Sequence, residues 1–200
     1  MKKGYGIIKF MANQINLTAT IRFAVSAAII VSLSAATNKI LVSEGKPTES
    51  SSIYDDLHNT SFGNDGSFTK PYSSKMMVTG KSEYWWVDLE ATYTIESAVM
   101  FFETSTYVYL TVHYTYYFVN ERPTSTDIVP SSATWCDTFK GNSAWQRVPE
   151  DVIQANNTLK MQVSNGCGGR SGRYFIIKGT SNDRTEKYLY FYELQLYSLG

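Results

Sequence analysis

The sequence predicts an all-β domain, a sandwich or a barrel. Three observations carry that prediction. Beyond Ser43 no stretch sustains a helical period, and short runs rich in Tyr, Phe, Val and Ile alternate with polar, turn-forming stretches. Tyrosine is abundant, with 15 copies, while charged residues make up only 18%, a balance that suits a half-buried sheet better than a helical bundle. At 200 residues the chain can bury a sizeable core within one domain, and it shows no internal repeat or low-complexity linker.

The candidate strands follow in order: "YWWVDLE" (Tyr84 to Glu90), "TIESAVMFFET" (Thr94 to Thr104), "VYLTVHYTYYFV" (Val108 to Val119), "TLKMQVS" (Thr158 to Ser164), "RYFIIKG" (Arg173 to Gly179) and the closing "YLYFYELQLY". Between them "NERPTST", "SNGCGGRSG" and "TSNDRTE" read as turns. In "YWWVDLE" the bland reading is a core strand with alternate rings inward; the functional reading is a stacking platform for a sugar. At period two the closing strand puts Tyr188, Tyr190, Tyr192, Leu194 and Leu196 on one face and Leu189, Phe191, Glu193, Gln195 and Tyr197 on the other. Both faces are largely apolar, so the Glu193 carboxylate needs a partner. A cation, one of Arg173, Arg184 or Lys187, or water at a strand end would each serve.

Before this region Lys2, Lys3, Lys9 and Arg22 precede an apolar run from Phe23 to Ala36, with no acidic residue. A basic leader, a short apolar stretch and small residues at Ser34, Ala35 and Ala36 read as a secretory signal over 1–36; an uncleaved type II membrane anchor is the alternative. The whole chain carries 18 basic and 18 acidic residues. Cleavage would leave 14 basic against 18 acidic, a net of minus four. Neither charge balance nor any basic run supports a nucleic-acid partner. Two cysteines, Cys136 and Cys167, suggest one disulfide in an exported chain, with two buried thiols as the alternative. Asn59 and Asn156 open sequons and are candidate glycan acceptors.

No catalytic set stands out. His58 and His113 are the only histidines, and there is no HExxH, CxxC, nucleophile elbow or glycine-rich phosphate loop, so the sequence points away from an enzyme. "FGNDGSF" packs oxygen donors Asn64, Asp65 and Ser67 into a turn, which is either a plain turn or part of a calcium shell of six to eight oxygens.

The series "EGKPTESSSIY", "FGNDGSF", "YWWVDLEATYTIESAVMF", "WCDTF", "CGGRSGRYFIIKG" and "YLYFYELQLY" resembles the F-type lectin (fucolectin) family, within the galactose-binding-domain-like and discoidin superfamily. The resemblance runs from Gly45 to Tyr197 and implies an antiparallel jelly-roll β-sandwich of about eight strands over 45–198, after a short linker at 37–44. It implies a calcium ion between the Asp-Gly turn and the last strand. Side-chain oxygens would come from Asp65 and Glu193, main-chain carbonyls from Ser67 and Tyr192, and a further donor from Ser73 or Ser74. Cys136 and Cys167 match a family disulfide, whereas Tyr192 stands where many members place another cysteine.

The family's fucose-gripping His-Arg-Arg set has no counterpart: its His position falls at Met76 or Met77, and no arginine occurs between Lys81 and Arg122. The expectation is a secreted, non-enzymatic, lectin-like module, calcium-stabilised, recognising a glycan or glycoconjugate by other means. Lys75, Met77, Lys81, Glu103 and Tyr107 are its candidate contacts. The alternative is a discoidin-type adhesion module in which loop tips such as Met76 and Met77 meet cell-surface proteins or phospholipid.

Overall fold

The computed structural model describes residues 38–77, 80–103, 112–125, 128–140, 145–148, 159–181 and 187–199. The expected signal at 1–36, Tyr107, Asn156 and Arg184 lie outside them. The strands are β1 (Lys39–Leu41), β2 (Thr48–Ser50), β3 (Tyr72–Ser73), β4 (Ser82–Glu103), β5 (Val112–Val119), β6 (Thr134–Lys140), β7 (Trp145–Arg147), β8 (Leu159–Ser181), β9 (Tyr190–Phe191) and β10 (Glu193–Leu199). Two short 3₁₀ turns, Asp56–His58 and Thr60–Gly63, lie between β2 and β3. Among the described residues every strand pairing is antiparallel, and no helix is long and apolar enough to cross a membrane.

The long strands β4 and β8 build both layers of an antiparallel β-sandwich. The first half of β4 pairs with β2 and with the end of β8; its second half pairs with β10 and the start of β8. Register breaks between Asp88 and Tyr93 and between Ile95 and Ser97, and Glu90 holds φ 64° with its N–H on Asp88 Oδ1 at 2.7 Å. An inserted residue in a ladder bends the strand and flips which alternate side chains face inward. Trp85, Val87 and Leu89 therefore face the core before the bend, and Ala98, Met100 and Phe102 after it. They meet Tyr114, Tyr116 and Phe118 of β5, Phe175 and Ile177 of β8, and Leu194 and Leu196 of β10. Trp85 is thus the core tryptophan, its indole N–H donated to the Thr60 carbonyl at 2.9 Å.

Three expectations change. "SNGCGGRSG" is not a free turn: pairing with β4 continues through it, from Gly166 opposite Ser97 to Gly172 opposite Tyr93. Gly168 and Gly169 take positive φ there, which lets the strand kink without leaving the ladder. Residues 39–44, read as linker, lie inside the domain, because β1 pairs with β10 from Lys39–Leu199 to Leu41–Tyr197. Finally, the closing strand is not one strand. It bends at Tyr192, so that Leu189 and Phe191 enter the core before the bend and Leu194 and Leu196 after it. Cys136 on β6 and Cys167 on β8 are bonded to each other, as expected.

Candidate metal centre and ligand end

Glu193 stands at the first position of β10, opposite Phe101, just past the bend at Tyr192. Because the bend turns Leu194 and Leu196 inward, Glu193 faces away from the main core. It is nevertheless 0% exposed, covered by the Asp-Gly turn and the segment after β1. Among the described residues neither carboxylate oxygen has a partner at full hydrogen-bond geometry, although the Gly66 N–H lies near enough to favour the charged form. Among the described residues no cation pairs with it: Arg173 is engaged instead by Asp88, through Nε to Oδ1 and a second guanidinium nitrogen to Oδ2, each at 2.8 Å. Burial pushes the Glu193 carboxyl up to about 9; the Asp65 carboxylate adds to the shift, the Gly66 N–H partly offsets it, and Glu44 adds a further push.

The cover is built from short-range bonds. Asp65 Oδ1 accepts the Ser67 N–H at 2.8 Å, closing the turn locally. The buried Asn64 amide donates to the carbonyls of Ser43 at 2.6 Å and Lys46 at 2.9 Å, and the Gly45 N–H donates to the Asn64 carbonyl at 2.7 Å. Ser43, fully buried, ties the same segment to β10: its hydroxyl donates to the Leu194 carbonyl at 3.2 Å and accepts the Leu196 N–H at 3.0 Å. Glu44 is held over the turn as a result. Gly66 has φ 74°, and a Cβ there would lie 2.9 Å from Glu44 Oε1. The positive φ favours glycine there, while the exposed Glu44 side chain could swing aside for a Cβ.

Glu193, Asp65 and Glu44 thus gather around Gly66. Hard oxygen donors without imidazole or thiolate suit calcium rather than zinc. Among the described residues no three Asp, Glu, His or Cys side chains already form a converged ligand cluster. Main-chain carbonyls would have to complete any shell, as at Tyr192 and Ser67, which flank the two expected carboxylates. Ser74 does not join them: its hydroxyl accepts the Leu189 N–H at 2.9 Å and donates to the Lys75 carbonyl at 2.7 Å, so it serves β9's approach and not Glu193. Ser73 likewise pairs with Tyr190. The residue missed from sequence is Glu44.

The expected ligand contacts divide. Met77 is 1% exposed, part of the core, and its N–H donates to the Lys187 carbonyl at 2.7 Å; it can touch neither glycan nor membrane. Glu103 accepts the hydroxyls of Tyr192 at 3.1 Å and Tyr190 at 3.4 Å. Lys75, Met76 and Lys81 are exposed, and Tyr107 lies outside the described residues. Beside Lys75 the structure brings together a group no sequence pattern marked. The Tyr54 N–H bonds the Ser73 carbonyl at 2.8 Å, which seats the 51–58 loop against the Lys75 segment. Tyr54, 54% exposed, packs edge-on against His58 at 5.4 Å and Tyr188 at 5.6 Å. His58 Nδ1 lies 2.6 Å from Asp55 Oδ1, and this contact holds the Asp55 carboxyl below its ordinary value.

No known family profile matches the sequence, and no curated protein matches it. Solved structures do. A chitosan-binding module of a chitosanase/glucanase from Paenibacillus sp. IK-5 aligns with TM-score 0.57 at 18% identity, over 80% of this chain and 99% of that one. An F-lectin (fucolectin) from striped bass (Morone saxatilis) serum aligns with TM-score 0.57 at 15% identity, over 80% of this chain and 48% of that one. A fucose-binding module of Streptococcus pneumoniae aligns with TM-score 0.54 at 15% identity, over 80% and 99%. At such identity the likeness concerns the fold: the galactose-binding-like β-sandwich shared by these carbohydrate-binding modules.

Proposed function

We propose that this domain is a secreted, non-enzymatic glycan-binding module whose cover over Glu193 is fastened by calcium. The observation that carries the calcium reading is the fully buried Glu193 carboxylate, with both oxygens unpartnered, beside Asp65 and Glu44. Glu193 and Asp65 would hold the ion, Glu44 would be a third carboxylate, and the carbonyls of Tyr192 and Ser67 would contribute main-chain oxygens. The ion would supply positive charge where carboxylates otherwise repel, joining the start of the domain to its last strand. The basic and apolar leader at 1–36 supports export.

For the glycan, the likeness to carbohydrate-binding modules is joined by the exposed Tyr54, whose ring face suits the apolar side of a pyranose. His58, oriented by Asp55, and Lys75 would offer polar contacts at its edge. Fucose is not the expected ligand, because Met76 and Met77 replace the family histidine and both arginines are missing.

A glycan array probed with the calcium-loaded protein tests the reading. Binding that soluble sugar competes away, and that Tyr54→Ala removes, supports it. The adhesion reading rests on Leu57, 73% exposed, and the exposed Met76. Liposome binding lost in a Leu57→Ser/Met76→Ser variant, with no glycan captured, would favour it.

A further inference from the structure

The outer face of β4 and β8 carries a second apolar cluster in which Trp86, Val119, Tyr174 and Ile176 are buried and Ile128 packs against them. Where this cluster meets β2, a groove of about 500 Å³ opens. Register explains its walls. Glu49 of β2 sits opposite Trp86 of β4, and the segment after β5, turned by the buried Pro123, brings Arg122 and Ile128 over from the other side. Trp86, Pro123 and Ile128 supply apolar surface; Glu49, Arg122 and Ser51 supply polar groups.

Arg122 and Glu49 form an ion pair across the groove, with 67% and 49% of their side chains exposed. A pair this exposed contributes little to the fold and is readily exchanged for other hydrogen-bond partners. It presents guanidinium donors and carboxylate acceptors side by side with no net charge, which matches vicinal hydroxyls better than a phosphate or an ammonium. The volume falls in the roughly 300–1,000 Å³ range of small-molecule sites.

We propose that this groove is a second saccharide site, for a short neutral oligosaccharide. A pyranose would lie over Ile128, with the buried Trp86 and Pro123 forming only the floor beneath it; Arg122 would donate to ring hydroxyls and Glu49 would accept from them. The site is on the sheet face and uses none of the Tyr54 group or the Glu193 carboxylate, so it stands independently of the function proposed above.

The test is a two-dimensional NMR titration of the calcium-loaded protein with chitotriose, cellotriose and maltotriose, each to millimolar concentration, reading the Trp86 indole N–H and Arg122 Nε–H signals. At least one trisaccharide should shift both saturably. Affinity at these signals should fall about tenfold or more in Glu49→Ala/Arg122→Ala and in the polar, uncharged Glu49→Gln/Arg122→Gln, and stay unchanged in Tyr54→Ala. Trp86 and Arg122 signals that none of the three probes moves, or shifts that both double variants retain at unchanged affinity, would overturn the proposal. Shifts at Tyr54 and Tyr188 in the absence of any at Trp86 would overturn it while leaving the Tyr54 site standing. Shifts at Trp86 and Arg122 with none at Tyr54 and Tyr188 would support it and count against the Tyr54 site.

Discussion

Replacing Glu193 with Gln keeps the side chain's shape and removes its proton equilibrium. In the metal-free protein the folded carboxyl titrates near 9, against 4.5 as the ordinary value. The folded pKa is raised, so the stability linked to the proton is complete below pH 4.5 and is lost as pH rises toward 9. At 1.36 kcal/mol per pH unit the full window is worth about 6 kcal/mol, of which about 3 kcal/mol is already lost near pH 7. Glu193→Gln avoids that loss, because its amide stays neutral without taking up a proton. The metal-free variant should therefore melt roughly 6 to 12 °C above the parent near neutral pH, with a flat profile between pH 5 and 9. Calcium closes that gap: the parent gains about 2.7 kcal/mol at a hundredfold excess over Kd and about 4.1 kcal/mol at a thousandfold excess, where it overtakes the variant, which gains little. Melting curves with chelator and with calcium across pH 5 to 9 decide the matter. A parent Tm that ignores pH in chelator, or a variant less stable than the parent at pH 7 without calcium, refutes the reasoning.

Gly66→Ala should cost about 1 kcal/mol by denaturant melt, because it forces a Cβ onto positive φ, and by pushing Glu44 aside it should also weaken the calcium-dependent shift. Reduction should lower stability by about 3 to 4 kcal/mol, since Cys136 and Cys167 close a loop of 31 residues. Unreduced protein should show no alkylatable thiol by mass spectrometry. Asp88→Asn should cost about 1 kcal/mol, and the loss should fade as pH falls below the ordinary carboxylate range, because Arg173 holds the folded Asp88 carboxyl low. Calorimetry with free L-fucose should detect no binding; micromolar affinity would overturn the reading of Met76 and Met77.

Much of the framework was legible because alternation is written in residue types. Trp85, Val87 and Leu89 declare an inward face, and the polar clusters between β-rich runs mark most strand ends. What the pattern cannot register is a bend that leaves residue types unchanged. At Tyr192 the closing strand shifts phase without Gly or Pro, so period two puts Glu193 on the face of Leu189 and Phe191, of which only those two enter the core. "SNGCGGRSG" misled in the opposite sense, since glycines that signal a turn here allow a kink inside a ladder that tertiary pairing holds together.

In the candidate site, Asp65 and Glu193 are named only by the resemblance; burial, with Asp65 as a second contribution, raises the Glu193 carboxyl. Glu44 was hidden because β1 is three residues long and polar flanks disguise it as linker. Met77 could not be told from Met76 by type: the first is core and the second is surface, a distinction made by the bond to Lys187.

The account turns on whether Glu193 and Asp65 share an ion. Equilibrium dialysis of the folded protein against radiolabelled calcium tests this most directly. The prediction is one saturable ion per chain at neutral pH, weakened as pH falls toward 5 and lost in Glu193→Gln and Asp65→Asn. Saturation unchanged in both variants, or no calcium retained by the parent, would contradict it and leave Glu193 a buried, protonated acid.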